Sequence, residues 1–232
     1  MLDVTELEII RWPGLLEYEE GLAVQRGYHA DVVAGRSPGV VVLCEHPSVY
    51  TAGRRTEPSD RPRDGSPVVD VARGGRITWH GPGQLVAYPI VRLPDPLDVV
   101  AWVRDLEQVV LDAVAAVGLR AERVAGRSGV WLPRPDGGPH DKVGAIGLHV
   151  ADGVSSHGVA VNCDNDLAAY AAIVPCGIAD AGVTTLTRAA GRRVTVDEVA
   201  AVVAPRIQQA VDGMHAGTRI STHSTTRQEV AA

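Results

Sequence analysis

The chain has 232 residues, of which 45% are hydrophobic and 22% charged, and its formal net charge is −6. This composition is typical of a soluble globular protein with a buried core, and it excludes collagen, coiled coils and intrinsically disordered chains. The acidic balance argues against a general nucleic-acid-binding protein, which needs a basic excess. Because there is no membrane-length apolar run or signal-peptide pattern, and the three cysteines are an odd number, we expect a cytoplasmic protein with reduced thiols and no membrane partner.

The hydrophobic pattern predicts strands and helices in mixed order along the chain. Strands outnumber helices and do not alternate with them strictly, which favours an α+β fold over a doubly wound sheet. We expect one domain over residues 1–213, followed by a polar, loosely ordered tail over 214–232. The predicted elements are, in chain order, an edge strand Leu2–Arg11 broken by Trp12-Pro13-Gly14, a helix Leu15–Val33, a buried strand Val40–Glu45, a loop Arg54–Pro67, strands Val68–Ala72 and Leu85–Leu93, a helix from Asp95-Pro96 to Val117, paired strands Lys142–Val150 and Val154–Asn162, and a helix opened by the capping box Thr195-x-x-Glu198 and ending near Gly213.

The three cysteines differ in their sequence surroundings. Cys44 lies in an apolar run and Cys163 ends a predicted strand, so both are expected to be buried and structural. Cys176 lies in the turn Pro175-Cys176-Gly177, where proline fixes the entering backbone and glycine permits close approach of a ligand. From its spacing alone, Cys176 is either a nucleophile or an ordinary turn cysteine.

A reactive thiol needs a nearby cation or base, because its free pKa of about 8.5 leaves little thiolate at neutral pH. Lys142 is the only lysine in the chain, whereas every other basic residue is arginine. Arginine cannot give up its proton near neutral pH and lysine can, so a Cys–Lys pair is one hypothesis. A Cys–His pair using His80, His149 or His157 is another. A zinc site is a third, although its spacing matches no paired-ligand pattern. The zinc ligands would be His149, His157, Cys163 and Cys176.

A glycine-rich segment, Arg73–Gln84 (RGGRITWHGPGQ), lies between two predicted strands. Its backbone could approach a ligand closely and donate amide hydrogens, and its arginines could bind a phosphate or a carboxylate. It matches neither the dinucleotide-binding fingerprint nor the P-loop. An ordinary glycine-rich turn is the alternative interpretation.

Four segments together closely resemble the lipoyl (octanoyl) transferase family. They are RGGRITWHGPGQ at 73–84, KVGAIG at 142–147, HGVAVN at 157–162 and PCG at 175–177, in this order and at family-like separations. The resemblance implies a single-domain α+β fold like that of biotin protein ligase and lipoate ligase, with a mixed, largely antiparallel sheet flanked by helices.

The resemblance also implies an activity and its partners. Members of the family transfer an octanoyl or lipoyl group from acyl carrier protein to one lysine of a lipoyl domain, which is the first step of endogenous protein lipoylation. The acceptors are the E2 subunits of 2-oxoacid dehydrogenases and the glycine cleavage H protein. No cofactor and no metal are implied.

The family's functional residues fall on definite positions of this sequence. The acyl-thioester nucleophile falls on Cys176 and its paired lysine on Lys142, a cysteine/lysine dyad. The implied substrate-binding residues are Arg73, Gly74, Gly75, Arg76, Ile77, Thr78, Trp79, His80, Ala145, Ile146, Gly147, Gly158, Val159 and Ala160.

Three rival functions remain open at this stage. An ATP-dependent lipoate or biotin ligase on the same fold needs no cysteine nucleophile, so Cys176 favours transfer. A non-catalytic module that holds acyl chains would give Lys142 and Cys176 no reason to be together. A cysteine hydrolase lacks its local signatures here. The segment Arg54–Arg76 holds six arginines against four acidic residues, and we expect it either to dock an acidic carrier protein or to be a solvated loop.

Overall fold

The computed structural model describes residues 6–134, 136–173 and 181–218. Its helices are α1 Tyr18–Val33, α2 Val99–Ala116, α3 Leu186–Ala190 and α4 Val196–His215, with short 3₁₀ turns at Pro58–Asp60 and Ala168–Ala172. Its strands are β1 Glu8–Leu15, β2 Gly39–Glu45, β3 Val49–Ala52, β4 Val68–Asp70, β5 Thr78–His80, β6 Gln84–Val91, β7 Glu122–Val124, β8 Arg127–Leu132, β9 Asp141–Ala151 and β10 Val154–Asn162.

The strands form two sheets. The larger has seven strands in the order β1-β2-β6-β10-β9-β8-β7, and the smaller has three in the order β4-β3-β5. In the larger sheet only the edge pair β1–β2 is parallel, and the other pairs are antiparallel. This arrangement confirms the predicted α+β fold with a mixed, largely antiparallel sheet.

Helices cover both faces of the larger sheet because its central strands are apolar on both sides. In β2, Val41 and Leu43 face the main core with α2 and α4, whereas Val40 and Val42 face a second cluster beneath α1. This alternation is what a strand with two buried faces requires. A third cluster joins the smaller sheet to the 3₁₀ turn Ala168–Ala172. Within the described ranges, no helix is long and apolar enough to span a membrane.

Most predicted elements are confirmed, but several boundaries are wrong; helix α1, for example, begins at Tyr18 rather than at Leu15. The segment Trp12-Pro13-Gly14 does not end the first strand, which continues to Leu15 with a shifted register. Proline is tolerated there because an edge strand has one side without a ladder partner. Helix α2 begins at Val99 rather than at Asp95-Pro96, because the Asp98 carboxylate accepts the Ala101 N–H at 2.9 Å and caps the helix there.

Other elements were missed or extended. Helix α4 begins at the predicted Thr195 cap, where the hydroxyl accepts the Glu198 N–H at 3.2 Å, and it continues to His215. The strands β3, β5, β7 and β8 were not predicted. Three of them have only three or four residues, which is too short for a hydrophobic period to be recognised.

Candidate active site

Two neighbouring strands of the larger sheet supply one wall of a cleft of about 900 Å³. The predicted triplets Ala145–Gly147 on β9 and Gly158–Ala160 on β10 all border this cleft. They lie directly opposite each other, with Gly158 facing Gly147 and Ala160 facing Ala145. A Cβ on Gly158 would lie 2.1 Å from the Ala87 carbonyl oxygen, so only glycine allows β10 to approach β6 at this point.

Only some residues of the segment Arg73–His80 border the cleft. Arg73, Gly75, Arg76, Thr78 and His80 border the cleft, whereas Gly74, Ile77 and Trp79 do not. The alternation follows from the period of two in β5, which turns Thr78 and His80 to one side and Trp79 to the other. Ile77 and Trp79 are buried in the third cluster.

Arg73 is buried and holds the loop of this segment in place. Its guanidinium donates to the Thr51 carbonyl oxygen at 2.7 Å and to the Thr51 hydroxyl at 2.8 Å. It also donates to the carbonyl oxygens of Gly74 and Arg76. Arg76 pairs with Glu57 and Asp60. Both arginines therefore shape the site as well as border it.

A chain of hydrogen bonds fixes the orientation of the His80 ring. The Thr184 carbonyl can only accept, so Asn162 donates to it through Nδ2, at 3.1 Å. Asn162 Oδ1 then accepts from Gln84 Nε2 at 2.8 Å, which leaves Gln84 Oε1 to accept from His80 Nδ1 at 2.6 Å. His80 therefore carries its proton on Nδ1, and its Nε2 is the acceptor of the ring.

The imidazole rings of the site are held in the neutral form. Burial lowers the pKa of His80 to about 3, with further lowering by His46 and Arg73. Burial likewise lowers the pKa of His157 to about 4, again with a contribution from Arg73. At neutral pH this part of the site therefore offers hydrogen-bonding groups without a histidine charge.

The residues under the cleft include three that the sequence reasoning missed, namely Tyr18, His46 and Tyr88. His46 donates through Nδ1 to the Leu16 carbonyl oxygen at 2.6 Å, so its Nε2 accepts from the Tyr88 hydroxyl at 2.7 Å. Tyr18 stacks on His80 with ring centroids 6.0 Å apart. The sequence offered one signal for these residues: Tyr88 lies inside a predicted apolar strand, and a buried tyrosine hydroxyl needs a hydrogen-bond partner.

Lys142 lies near the start of β9, is 7% exposed and borders the cleft. Its backbone N–H donates to the Gly182 carbonyl oxygen at 2.9 Å, and its own carbonyl oxygen accepts from the Thr184 N–H at 3.0 Å. Its Nζ lies 5.1 Å from the centroid of the Trp131 ring. The only lysine of the chain is thus fixed in the cleft by backbone and side-chain contacts.

The predicted nucleophile Cys176 lies outside the described residues. Cys44 and Cys163 are buried free thiols, as predicted, and burial raises the pKa of each to about 12. Neither therefore forms a thiolate near neutral pH. Among residues 6–134, 136–173 and 181–218, no group of three or more histidine, cysteine and acidic side chains could hold a metal ion.

The mouth of the cleft combines basic and apolar side chains. Arg54 and Arg55 are exposed on a loop whose backbone is fixed, since their N–H groups donate to the carbonyl oxygens of Arg73 and Gly75. Across the cleft, α2 contributes Val100, which is 69% exposed. Arg104 and Arg127 also border the opening. A partner that enters here meets positive charge beside an apolar surface.

Comparisons with known proteins agree with this geometry. The family model of the lipoyl protein ligase A/B catalytic domain matches residues 17–208. The octanoyltransferase of Clavibacter sepedonicus is 62% identical over 197 residues, which are 84% of this chain and 85% of that protein. The octanoyltransferase of Salinispora arenicola is 58% identical over 86% of this chain and 93% of that protein.

The chain belongs to the octanoyltransferase family. The resemblance stated from the four sequence segments is thereby confirmed, and the protein is an enzyme of the transferase class. A further octanoyltransferase, from Mycobacterium sp. (strain KMS), is 56% identical over 93% of this chain and 91% of that protein.

Solved structures confirm the fold expected for an octanoyltransferase. A lipoate-protein ligase A bound with ATP superposes with a TM-score of 0.64 at 16% identity, covering 88% of this chain and 85% of that one. The biotin protein ligase of Aquifex aeolicus, in complex with biotin and ATP, gives a TM-score of 0.55 at 16% identity, covering 89% and 71%. The predicted likeness to lipoate and biotin ligases therefore holds.

Proposed function

We propose that this enzyme transfers an octanoyl (or lipoyl) group from acyl carrier protein, through a thioester on Cys176, to one lysine of a lipoyl domain. The acceptors would be E2 subunits of 2-oxoacid dehydrogenases and the glycine cleavage H protein, in the first step of endogenous protein lipoylation. The observation that carries the proposal is the burial of Lys142, the chain's only lysine, in a cleft with small apolar walls. Relatives named octanoyltransferase support it.

The wall formed by β9 and β10 suits a straight acyl chain. Ala145, Gly147, Gly158 and Ala160 present little or no side chain to the cleft, so a narrow apolar ligand can lie against the backbone. Each methylene that leaves water contributes roughly 0.8 kcal/mol. An octanoyl chain is therefore held mainly by apolar burial, and the polar groups of the cleft are left to orient its carbonyl end.

The chain on either side of residues 174–180 supports a position for Cys176 near Lys142. Ile173 is buried in the same cluster as Trp79, and Gly182 accepts the Lys142 N–H. Cys176 is six residues before Gly182, and six residues reach at most about 22 Å. A Cys176–Lys142 pair is compatible with these two anchors.

The proposed chemistry has two steps. The Cys176 thiolate, favoured by the positive charge of Lys142, attacks the carbonyl of the carrier thioester. A new C–S bond forms, the C–S bond to the carrier breaks, and the carrier thiolate takes the proton of the Lys142 ammonium, which leaves Lys142 neutral for the second step. The acceptor lysine amine then attacks the octanoyl-Cys176 carbonyl. A C–N bond forms, the C–S bond breaks, and the proton lost by the amine passes to Lys142 or to the departing sulfur.

Neither step needs a nucleotide. Exchange between two thioesters is nearly neutral in free energy, and formation of the amide from a thioester is downhill. The neutral His80, which borders the cleft, is assigned to substrate binding as a hydrogen-bond acceptor through Nε2. This assignment fits its lowered pKa, because a ring that stays uncharged can accept a hydrogen bond throughout the physiological pH range.

The test is the mass of the intact protein after incubation with octanoyl-acyl carrier protein without ATP. We expect one octanoyl adduct that hydroxylamine removes, and peptide mapping should place it on Cys176. Cys44 and Cys163 are internal controls, because their buried thiols should carry no adduct. An adduct only on one of those two, or product formed from octanoate only when ATP is present, would overturn the proposal.

A further inference from the structure

Gly129 on β8 lies against the side chain of Lys142. A Cβ built on Gly129 would lie 2.6 Å from Lys142 Cε, 3.2 Å from Nζ and 2.5 Å from the Gly144 carbonyl oxygen. The backbone of Gly129 also has φ +106, in the region that favours glycine. The lysine side chain thus occupies the space that any other residue at position 129 would fill.

The neighbouring Trp131 is the direct cross-strand partner of Lys142. Side chains of directly opposed residues lie on the same face of an antiparallel pair, which brings Lys142 Nζ to 5.1 Å from the centroid of the indole ring. A lysine ammonium is attracted to the face of a tryptophan at this distance. The register of β8 against β9 shifts between Val130 and Trp131, so the strand is irregular beside the lysine.

Glu107 of α2 fixes this irregular strand. The Gly129 N–H donates to Glu107 Oε1 at 2.9 Å. The second oxygen, Oε2, accepts from Arg104 at 2.6 Å and from Arg123 at 3.1 Å. The Glu107 side chain is fully buried, so its position is set by these three donors rather than by solvent.

We infer that Glu107 is a positioning residue for Lys142, acting through the Gly129 backbone. Glu107, Gly129 and Trp131, here called the Lys142 pocket, hold the lysine side chain in one conformation. The hydrogen bond from the Gly129 N–H to Glu107 holds the Gly129 backbone in place. The side of Gly129 that carries no side chain therefore stays turned toward Lys142. The catalytic consequence of this positioning, a Lys142 ammonium held beside Cys176, rests on the proposed function.

Two substitutions of Glu107 test the length of its side chain and its negative charge separately. Glu107→Gln keeps the side-chain length and one oxygen acceptor for Gly129, but its amide nitrogen replaces the oxygen that accepts from Arg104 and Arg123, and the charge that pairs with them is lost. Glu107→Asp keeps the charge but withdraws the oxygen by about one carbon–carbon bond, roughly 1.5 Å. If Glu107 acts by positioning Gly129, Asp is the more harmful change. If it serves only to neutralise the two arginines, Gln is the more harmful change.

The first readout uses the fact that Lys142 is the only lysine. Protein labelled with ¹³C at the lysine ε carbon should give one Cε–Hε NMR signal, displaced from its unfolded position by the Trp131 ring. In the wild-type protein this signal should show nuclear Overhauser effects to Gly129 Hα and to the Trp131 ring. Glu107→Asp should move the signal toward the unfolded position, and Glu107→Gln should leave it near its wild-type position.

The second readout is the rate at which octanoyl-acyl carrier protein acylates Cys176, measured across pH. Glu107→Asp should slow acylation at pH 7 at least tenfold and move the rising limb of the pH profile upward, while Glu107→Gln stays within about threefold of wild type. Asp112→Asn is the matched control on the same helix, since Asp112 pairs with Arg206 and not with the Lys142 pocket. It should change neither readout.

Three results would overturn the inference. They are a lysine signal without contacts to Gly129 or Trp131 in the wild-type protein, a larger effect of Gln than of Asp, or wild-type behaviour of both variants. The contacts are measured on the unaltered protein, so the inference stays testable if Glu107→Asp does not fold. Absence of acylation in the wild type, together with a lysine signal that still responds to Glu107→Asp, would refute the proposed function and leave the positioning of Lys142 intact.

Discussion

Asn162 and Gln84 are joined by a hydrogen bond of 2.8 Å in which the Gln84 amide nitrogen donates to Asn162 Oδ1. Through its other end Asn162 donates to the Thr184 carbonyl oxygen, and the Thr184 N–H donates to the Lys142 carbonyl oxygen. Gln84 in turn orients His80. One buried amide pair therefore links the ring of His80 to the strand that carries Lys142.

Replacing Asn162 by alanine should remove this link. The substitution removes the Asn162 donor of the buried Thr184 carbonyl oxygen and one of the three acceptors of Gln84 Nε2, so we expect the free energy of unfolding to fall by about 1–3 kcal/mol. Transfer activity should fall as well, because Gln84 loses its link to the strand that carries Lys142. Asn165→Ala is the control, since its Oδ1 has no hydrogen-bond partner in the described part of the chain. Equal losses in urea unfolding for the two variants would contradict the prediction.

Lys142→Arg should inactivate the enzyme although it keeps the positive charge. The bulkier guanidinium does not fit beside Gly129, because the lysine side chain already fills this space: a Cβ built on Gly129 would lie 2.6 Å from Lys142 Cε. Arginine also cannot take up a proton from the acceptor amine. We expect kcat/KM to fall at least about a hundredfold, in the range of acid–base catalysis. Arg134→Lys, an exchange of the same residue types at a surface position, should leave it unchanged. Near wild-type turnover of Lys142→Arg would reduce Lys142 to an electrostatic partner.

The buried histidines should make the fold sensitive to mild acid. Burial lowers the pKa of His80 to about 3 and of His157 to about 4, and it also lowers the pKa of His46; Arg73 adds to the first two shifts. In the unfolded chain these rings titrate near the ordinary value of about 6.5. Between pH 6.5 and pH 4 the unfolded chain therefore binds more protons, and the free energy of unfolding falls as the pH falls.

Urea unfolding at a series of pH values measures this effect. The slope should approach about 1.4 kcal/mol per pH unit for each buried histidine. His157→Gln should remove one histidine's share, because its ring makes only an edge contact with Tyr88, at 6.4 Å, and no hydrogen bond within the described residues. His215→Gln, at the end of α4, is the control and should preserve the slope. Stability that stays constant from pH 7 to pH 5 would be inconsistent with neutral buried rings.

Arg54 and Arg55 should steer an acidic carrier protein to the cleft. Both are exposed at its mouth, so added salt should lower kcat/KM steeply for octanoyl-acyl carrier protein and only slightly for a small octanoyl thioester. Changing both residues to glutamine should reproduce the salt effect at low ionic strength. The matched control is the pair Arg61 and Arg63, which belong to the same basic segment but do not border the cleft. Equal salt sensitivity for the two donors would show that the segment is ordinary surface.

The family, the fold class and most of the long elements can be recognised from the amino-acid sequence alone. Long strands such as Val154–Asn162 and helices such as Val196–His215 carry their hydrophobic period and caps locally. The segments KVGAIG and HGVAVN already contain both halves of the cleft wall. The buried character of Cys44 and Cys163 also followed from their apolar neighbours.

The contacts that hold the site together join residues far apart in the chain and become visible only in the folded protein. Glu107 and Gly129 are 22 residues apart, and Gln84 and Asn162 are 78 apart, so no local pattern announces either hydrogen bond. His46 follows the predicted strand Val40–Glu45 and Tyr88 lies within Leu85–Leu93, and only the fold places one ring against the other. The neutrality of His80 is likewise a property of burial, because a pKa depends on the solvent and charges around a group, and these are fixed only when distant strands close over it.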